Sequence, residues 1–260
     1  VKSFLSALLF LFVALPAAAE VPIYDYKIVA RYPHNIASFT QGLEFHDGYL
    51  YEGTGKNGRS TLSKINLEDG KVLQSKRLAS RYFGEGITIV GERIFQLTWQ
   101  SNIVFVYDLA SFETLTSHYH PTEGWGLTFD GKQLILSDGS ANLQFIEPET
   151  FQVLRTVEVT IDGRPIRNLN ELEYINGEVW ANVWMSNEIV RIDPANGNIN
   201  SVVDLSGLID ETHTGGSDGV LNGIAWIPNT AADAVVGSGR LFVTGKLWAD
   251  LFEIEIAIAE

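Results

Sequence analysis

Apolar and polar residues alternate with the period of a β-strand along most of this chain, and the alternation recurs in five similar stretches. Leu43/Phe45, Ile87/Ile89, Leu127/Phe129, Leu172/Tyr174 and Ile224/Trp226 each place two apolar side chains on one face of a short segment. A second alternating segment follows, beginning near Leu50, Ile94, Leu134, Val179 or Leu241, with turn pairs such as Asp47-Gly48 and Asn176-Gly177 in between. Such pairs between alternating segments predict tight hairpins, because both turn residues adopt positive φ. Third strands are expected at 62–66, 104–108, 143–147, 189–193 and 251–255, and fourth strands at segments such as 71–78 and 153–159.

The five first strands align on one register position, occupied by Gly42, Gly86, Gly126, Glu171 and Gly223, with spacings of 44, 40, 45 and 52 residues. Four short strands repeating every 40 to 50 residues describe the blade of a propeller. The predicted fold is therefore all-β: a five-bladed β-propeller with four antiparallel strands per blade. A solenoid is the competing architecture, but it leaves exposed ends that need capping. Residues 26–32 form an orphan strand before the first repeat, so the N-terminal strand is expected to complete the last blade and close the ring. Residues 229–239 read as a loop insertion in the fifth unit's first hairpin.

Equivalent positions of innermost strands converge around a propeller's axis, so a residue needed only for structure should be the same in every unit. The position before the register residue is not: it reads Gln41, Glu85, Trp125, Asn170 and Asn222. Thirteen residues beyond the register residue stands a second diverging set of Gly55, Trp99, Gly139 and Trp184, with Lys246 in the fifth unit after the insertion. Together they supply one carboxylate, one cation, three amides and three indoles, the composition of a pocket with apolar walls and a few convergent polar groups. Taken singly, each Trp could be core and Lys246 a solvated surface group. Glu85 resists the bland reading, because a carboxylate between two glycines at an apolar strand start is one whose pKa desolvation would raise.

Composition narrows the classes. The chain has no cysteine, so neither a disulfide framework nor a thiolate nucleophile is available, and 14 Phe, 9 Tyr and 6 Trp must supply the packed area. A formal net charge of −14 argues against a nucleic-acid partner, which needs clustered positive charge. Lys2, the apolar run 4–15 and three alanines at 17–19 form the pattern of a secretory signal, with cleavage expected after Ala19. The run is too short to span a bilayer core of about 30 Å. The expected organisation is a signal at 1–19 and a single domain at 20–260, secreted or periplasmic, free of the membrane after cleavage, with a monomer as the expected state.

The segments that carry these positions also carry a resemblance. FTQG from Phe39, YEGTG from Tyr51, FGEGIT from Phe83, EGWGLT from Glu123, NELEY from Asn170 and NVW from Asn182 resemble the glutaminyl cyclases of the plant and bacterial type. The likeness extends from about Tyr24 to the end of the chain. It implies a five-bladed propeller that converts the amino-terminal glutamine of peptides or proteins into pyroglutamate with loss of ammonia. By matching motifs it implies Glu85 as the proton-transferring carboxylate and Gln41, Asn170 and Lys246 as polar catalytic groups. Phe39, Phe83, Trp99, Trp125 and Trp184 would form the walls. The plant members carry cysteines that this chain lacks, none at a site position.

The chemistry suits this inventory. The substrate's α-amine is the nucleophile and sits near its own γ-carboxamide, so effective molarity does much of the work and no Ser or Cys is required. One carboxylate of raised pKa can take the amine's proton and return it to ammonia. Lys246, or the amide nitrogens of Gln41 and Asn170, can stabilise the oxyanion. This scheme requires no metal or other cofactor.

Two other classes share the residues. A calcium-dependent propeller hydrolase, lactonase-like, would use Glu85, Asn170, Asn222 and Asp218 as oxygen ligands. A non-catalytic peptide-binding propeller would grip a chain end with the aromatics and pair its amine with Glu85. His118 and His120 share a strand face and could ligate metal, but no third ligand lies near in sequence, and a surface role is expected.

Overall fold

The computed structural model describes residues 20–231 and 234–258, so the expected signal at 1–19 lies outside the described residues. An initial strand β1 (Ile23–Pro33) precedes a four-stranded antiparallel sheet of β2 (Thr40–His46), β3 (Tyr49–Thr54), β4 (Thr61–Ile65) and β5 (Val72–Arg77). A second such sheet follows, of β6 (Gly84–Val90), β7 (Arg93–Thr98), β8 (Ile103–Asp108) and β9 (Thr114–Tyr119). The third is β10 (Leu127–Phe129), β11 (Leu134–Ser137), β12 (Asn142–Ile146) and β13 (Val153–Glu158). A small hairpin of β14 (Thr160–Ile161) and β15 (Arg164–Pro165) comes next and had no signature in the repeat.

The fourth unit is β16 (Leu169–Ile175), β17 (Glu178–Val183), β18 (Glu188–Ile192) and β19 (Ile199–Asp204). After one 3-10 turn at Leu208–Glu211 the fifth unit supplies β20 (Leu221–Pro228), β21 (Gly239–Gly245) and β22 (Asp250–Ile258). Its fourth strand is β1, antiparallel to β22 from Tyr24↔Ile258 to Pro33↔Asp250. The expected partner of the orphan strand is therefore the observed one. The start of β1 also pairs in parallel with β19 through Ile23↔Val202, which merges units four and five into one eight-stranded sheet.

The hairpins have the expected turn chemistry: Asp47/Gly48 and Asn176/Gly177 all have positive φ. Between the sheets lie five apolar clusters, each shared by two units. One joins Tyr51 and Leu62 to Ile87 and Ile94; another joins Phe95 and Leu97 to Leu134 and Leu136. The remaining three group Phe145 with Val179, Trp180 with Phe252, and Leu43 with Phe242. Full burial of side chains this large contributes about 1.5–3 kcal/mol each.

The first strands approach closely. A Cβ on Gly42 would lie 2.4 Å from the Ile87 nitrogen, and one on Gly126 would lie 1.9 Å from the Asn170 oxygen, so these positions admit no side chain. Glu171 stands at the same register but turns its carboxylate to two backbone amides, Leu43 N at 3.1 Å and Ile224 N at 2.9 Å. The exception to the glycine pattern is thus a tie between β16, β2 and β20. Burial pushes its carboxyl well above the usual range, a rise only partly opposed by the two amides.

Candidate active site

One backbone bond, repeated in four units, brings the two diverging rings to the same end of the first hairpins. The amides of Gly55, Trp99, Trp184 and Lys246 donate to the carbonyls of Phe39, Phe83, Asn168 and Val220 at 2.8–3.1 Å. Each acceptor lies two residues before its unit's first-ring position.

A cavity of about 400 Å³ opens at this end. The nine residues that the resemblance implied all line it: Glu85, Gln41, Asn170 and Lys246 with Phe39, Phe83, Trp99, Trp125 and Trp184. The polar four are buried, whereas Trp99 and Trp184 are 37 % and 39 % exposed, the values of walls rather than core. The rings meet edge to face, Phe39 on Phe83 at 6.0 Å, Phe83 on Trp99 at 5.6 Å and Trp125 on Trp184 at 5.6 Å. The glycines of the second ring make room for this packing. A Cβ on Gly55 would lie 2.2 Å from the Phe83 ring, and one on Gly139 would lie 2.6 Å from Trp125.

Glu85 accepts a hydrogen bond from Gln41 Nε2 at 2.9 Å. Asn222, expected beside these groups, does not line the cavity: it is fully buried, and its Nδ2 donates to the Thr40 carbonyl at 2.9 Å and to Gln41 Oε1 at 3.3 Å. It thereby fixes which end of the Gln41 amide faces Glu85. Asn170 lines the cavity with a side chain that makes no protein hydrogen bond among the described residues.

Two opposite charges share the floor. Burial raises the Glu85 carboxyl well above the usual range, opposed by the Lys246 ammonium and assisted by Glu123. Burial lowers Lys246 to about 8, and Glu85 pulls it partly back. Desolvation thus outweighs mutual attraction at both groups. The Lys246 Nζ also lies 5.0 Å from the centre of the Phe39 ring.

Sequence reasoning missed the outer parts. Glu123 accepts from Trp99 Nε1 at 2.7 Å and from Trp125 Nε1 at 3.0 Å, so one carboxylate sets the pose of two indoles. Although burial opposes it, three side-chain donors, Trp125 foremost and then Gln100 and Trp99, hold Glu123 below the usual range and therefore ionised. At the mouth, Lys56 pairs with Asp218 at 2.9 Å and lies 4.0 Å from the Phe39 centroid, and the exposed Met185 also lines the cavity. Of these, only Glu123, within EGWGLT, and Asp218, as a candidate oxygen ligand, were in view in the sequence.

The oxygen donors of the hydrolase alternative are engaged otherwise, Asp218 with Lys56 and Asn222 with Gln41. Among the described residues, no three His, Cys, Asp or Glu side chains form a metal-ligand group. His118 and His120 do share a face: both pack on Phe151, at 5.4 and 5.7 Å. His120, however, is buried and bonded to Thr122 Oγ1 at 2.9 Å, against the surface role expected of it.

A family model described as glutamine cyclotransferase matches residues 4–256. A glutaminyl-peptide cyclotransferase of Arabidopsis thaliana is 43% identical over 240 residues, 90% of this chain and 72% of that protein. The crystal structure of Myxococcus xanthus glutaminyl cyclase superposes with a TM-score of 0.84 at 36% identity, covering 93% of this chain and 100% of that one.

Proposed function

The chain belongs to the glutamine cyclotransferase family, and from that membership and the cavity's geometry we propose how this glutaminyl-peptide cyclotransferase works. Its substrate is a peptide whose amino-terminal glutamine enters the aromatic cavity. The flat carboxamide lies against the Trp125–Trp184 wall, and the free α-amine points to Glu85. The carboxylate takes a proton from the amine as its nitrogen attacks the γ-carbonyl carbon. A C–N bond forms, the carbonyl oxygen becomes anionic, and the Lys246 ammonium and the Asn170 amide stabilise it. Glu85 then returns the proton to the departing nitrogen, the original C–N bond breaks, and ammonia leaves.

Gln41 has a different part from the one the resemblance suggested. Its amide nitrogen already serves Glu85, so it orients the base and supplies the hydrogen bond that favours the ionised form.

The same reading includes the architecture. Five units around one axis, closed by β1 on β22, are supported by the run of shared clusters: first unit with second, second with third, third with fourth, fourth with fifth and fifth with first. Export is supported by the apolar leader.

The observation that carries the proposal is the convergence of all nine residues on one cavity with a buried, hydrogen-bonded carboxylate at its floor. The test is ammonia release from Gln-initiated peptides with chelator present. Turnover of free-amine peptides and none of N-acetylated ones is expected; turnover abolished by chelator, or of the acetylated peptide, overturns the reading.

A further inference from the structure

Behind the cavity lies a second buried pair that the chemistry above does not use. The His34 side chain is 3 % exposed and its partner Glu52 is 2 % exposed. Both ring nitrogens of His34 face acceptors: Nδ1 lies 2.7 Å from the Trp248 carbonyl oxygen and Nε2 lies 3.0 Å from Glu52 Oε1. A neutral imidazole has one N–H, so a ring held between a carbonyl and a carboxylate needs both protons. Glu52 is supplied with donors accordingly, from Thr40 Oγ1 at 2.7 Å and Ser38 Oγ at 3.0 Å as well as from the ring.

Trp248 lies two residues after Lys246. The loop 245–249 that carries them turns through Leu247 at φ 61, a left-handed conformation unusual for a leucine, so it depends on its surroundings to hold its shape. Those surroundings are the same short segment. Leu247 N donates to the Ser38 carbonyl at 2.6 Å, and His34 N donates to the Ala249 carbonyl at 2.9 Å. Thr40, which bonds Glu52, is flanked by the site residues Phe39 and Gln41. One charged bridge therefore joins the loop of Lys246 to the strand of Gln41.

We propose that His34 is a positioning residue for Lys246, its imidazolium bridging the Glu52 carboxylate and the Trp248 carbonyl so that the ammonium is fixed at the cavity floor. Burial alone would push the ring's pKa down, but Glu52, the Trp248 carbonyl and the more distant Asp250 outweigh it and raise the net value. Glu52 is lowered in turn, burial being outweighed by His34 and the two hydroxyls. Those are the charges that face the pair. A cavity of about 160 Å³, lined in part by Ser63, Ser75 and Thr61, adjoins the pair.

The kinetic consequence rests on the cyclase reading, so the test reads the lysine directly as well. His34→Gln, and His34→Gln/Glu52→Gln in which no carboxylate is left stranded, are compared with the parent. The pH dependence of Lys246 acetylation is followed by peptide mass spectrometry, beside kcat and KM. In the parent the half-point is expected at about 8. In the folded variants it is expected to move up by about one unit as the freed lysine gains water, toward its ordinary value near 10.4. The kcat falls about tenfold with KM within about threefold, the scale of a small misplacement. An unshifted half-point in a folded variant overturns the proposal, even if kcat has fallen. A parent without cyclase activity overturns the cyclase reading and leaves the acetylation result to decide the bridge.

Discussion

Gln41 Nε2 donates to Glu85 Oε1 across two neighbouring sheets, at 2.9 Å, from β2 to β6. The bond matters because the carboxylate comes from one repeat and its orienting amide from another. The base is therefore placed by the packing of two units against each other, not by either alone. Glu85→Gln keeps the shape and the contact but ends proton exchange. It is expected to lower kcat by about 10²-fold or more, the usual scale for a positioned acid or base, with the melting temperature nearly unchanged. Near-parental turnover would remove Glu85 from the mechanism.

The two floor charges predict a bell-shaped kcat. Glu85 acts as the base, and its pKa is raised, so activity falls as pH drops through a value above 4.5. Lys246 acts as the cation, with its pKa lowered to about 8, so activity falls again as pH rises through that value. Lys246→Arg should shift the alkaline limb up, since a guanidinium stays charged. An alkaline limb that stays in place would assign it to another group.

Wall and core are separable at the indoles. Trp125→Phe and Trp184→Phe are expected to raise KM or lower kcat while leaving stability almost unchanged, since both rings border open space. Core tryptophans would leave a cavity and lose roughly 1–3 kcal/mol instead. Trp125→Phe should show the larger kinetic effect, because it also frees Glu123 Oε2 from one of its two indole donors. Kinetics together with thermal melts distinguish these outcomes.

The His34–Glu52 pair contributes stability over a definite pH window. The raised pKa of His34 means its share is present below about 6.5, the unfolded value, and is lost as pH rises through the folded one. Glu52, lowered from 4.5, contributes above 4.5 and loses its share as pH falls through its folded pKa. The difference in melting temperature between the parent and His34→Gln/Glu52→Gln should therefore be greatest between about pH 5 and 6 and shrink on both sides. A flat difference would show that the pair is not ionised.

Glu171→Ala is expected to cost at least about 2 kcal/mol, because it leaves two buried amides, Leu43 N and Ile224 N, without an acceptor. Glu171→Gln, which keeps one acceptor oxygen, should cost less. Equal melting temperatures for all three proteins would mean that water replaces the carboxylate.

Much of this was legible because repetition exposes exceptions. Four units with glycine at the register make the first-ring differences at Gln41, Glu85 and Asn170 visible without any coordinates, and the pairing of β1 with β22 follows from counting strands. Asn222 shows the limit of that logic. It occupies an equivalent position, yet its side chain turns to the Thr40 carbonyl and away from the cavity, a choice made by neighbours 181 and 182 residues distant in the chain. Lys56 and His34 were invisible for the same reason: each acts through a partner on another segment. Glu123 stood in view at the start of EGWGLT, level with Phe39 and Phe83 in their units, but its indole partners did not. Glu171 looked like a lapse in the pattern because its amide partners lie 128 and 53 residues away.

Those separations set the order of events when the chain folds. Local hairpins close early, since loop entropy penalises short loops least, and contacts across more than a hundred residues come late. Until β2 and β20 have both docked beside β16, Glu171 is a carboxylate at an apolar surface with nothing to accept, and burying it then is costly. Docking of β2 and β20 removes that penalty in one step, so Glu171 couples the three first strands and the seam they share is expected to form and open cooperatively.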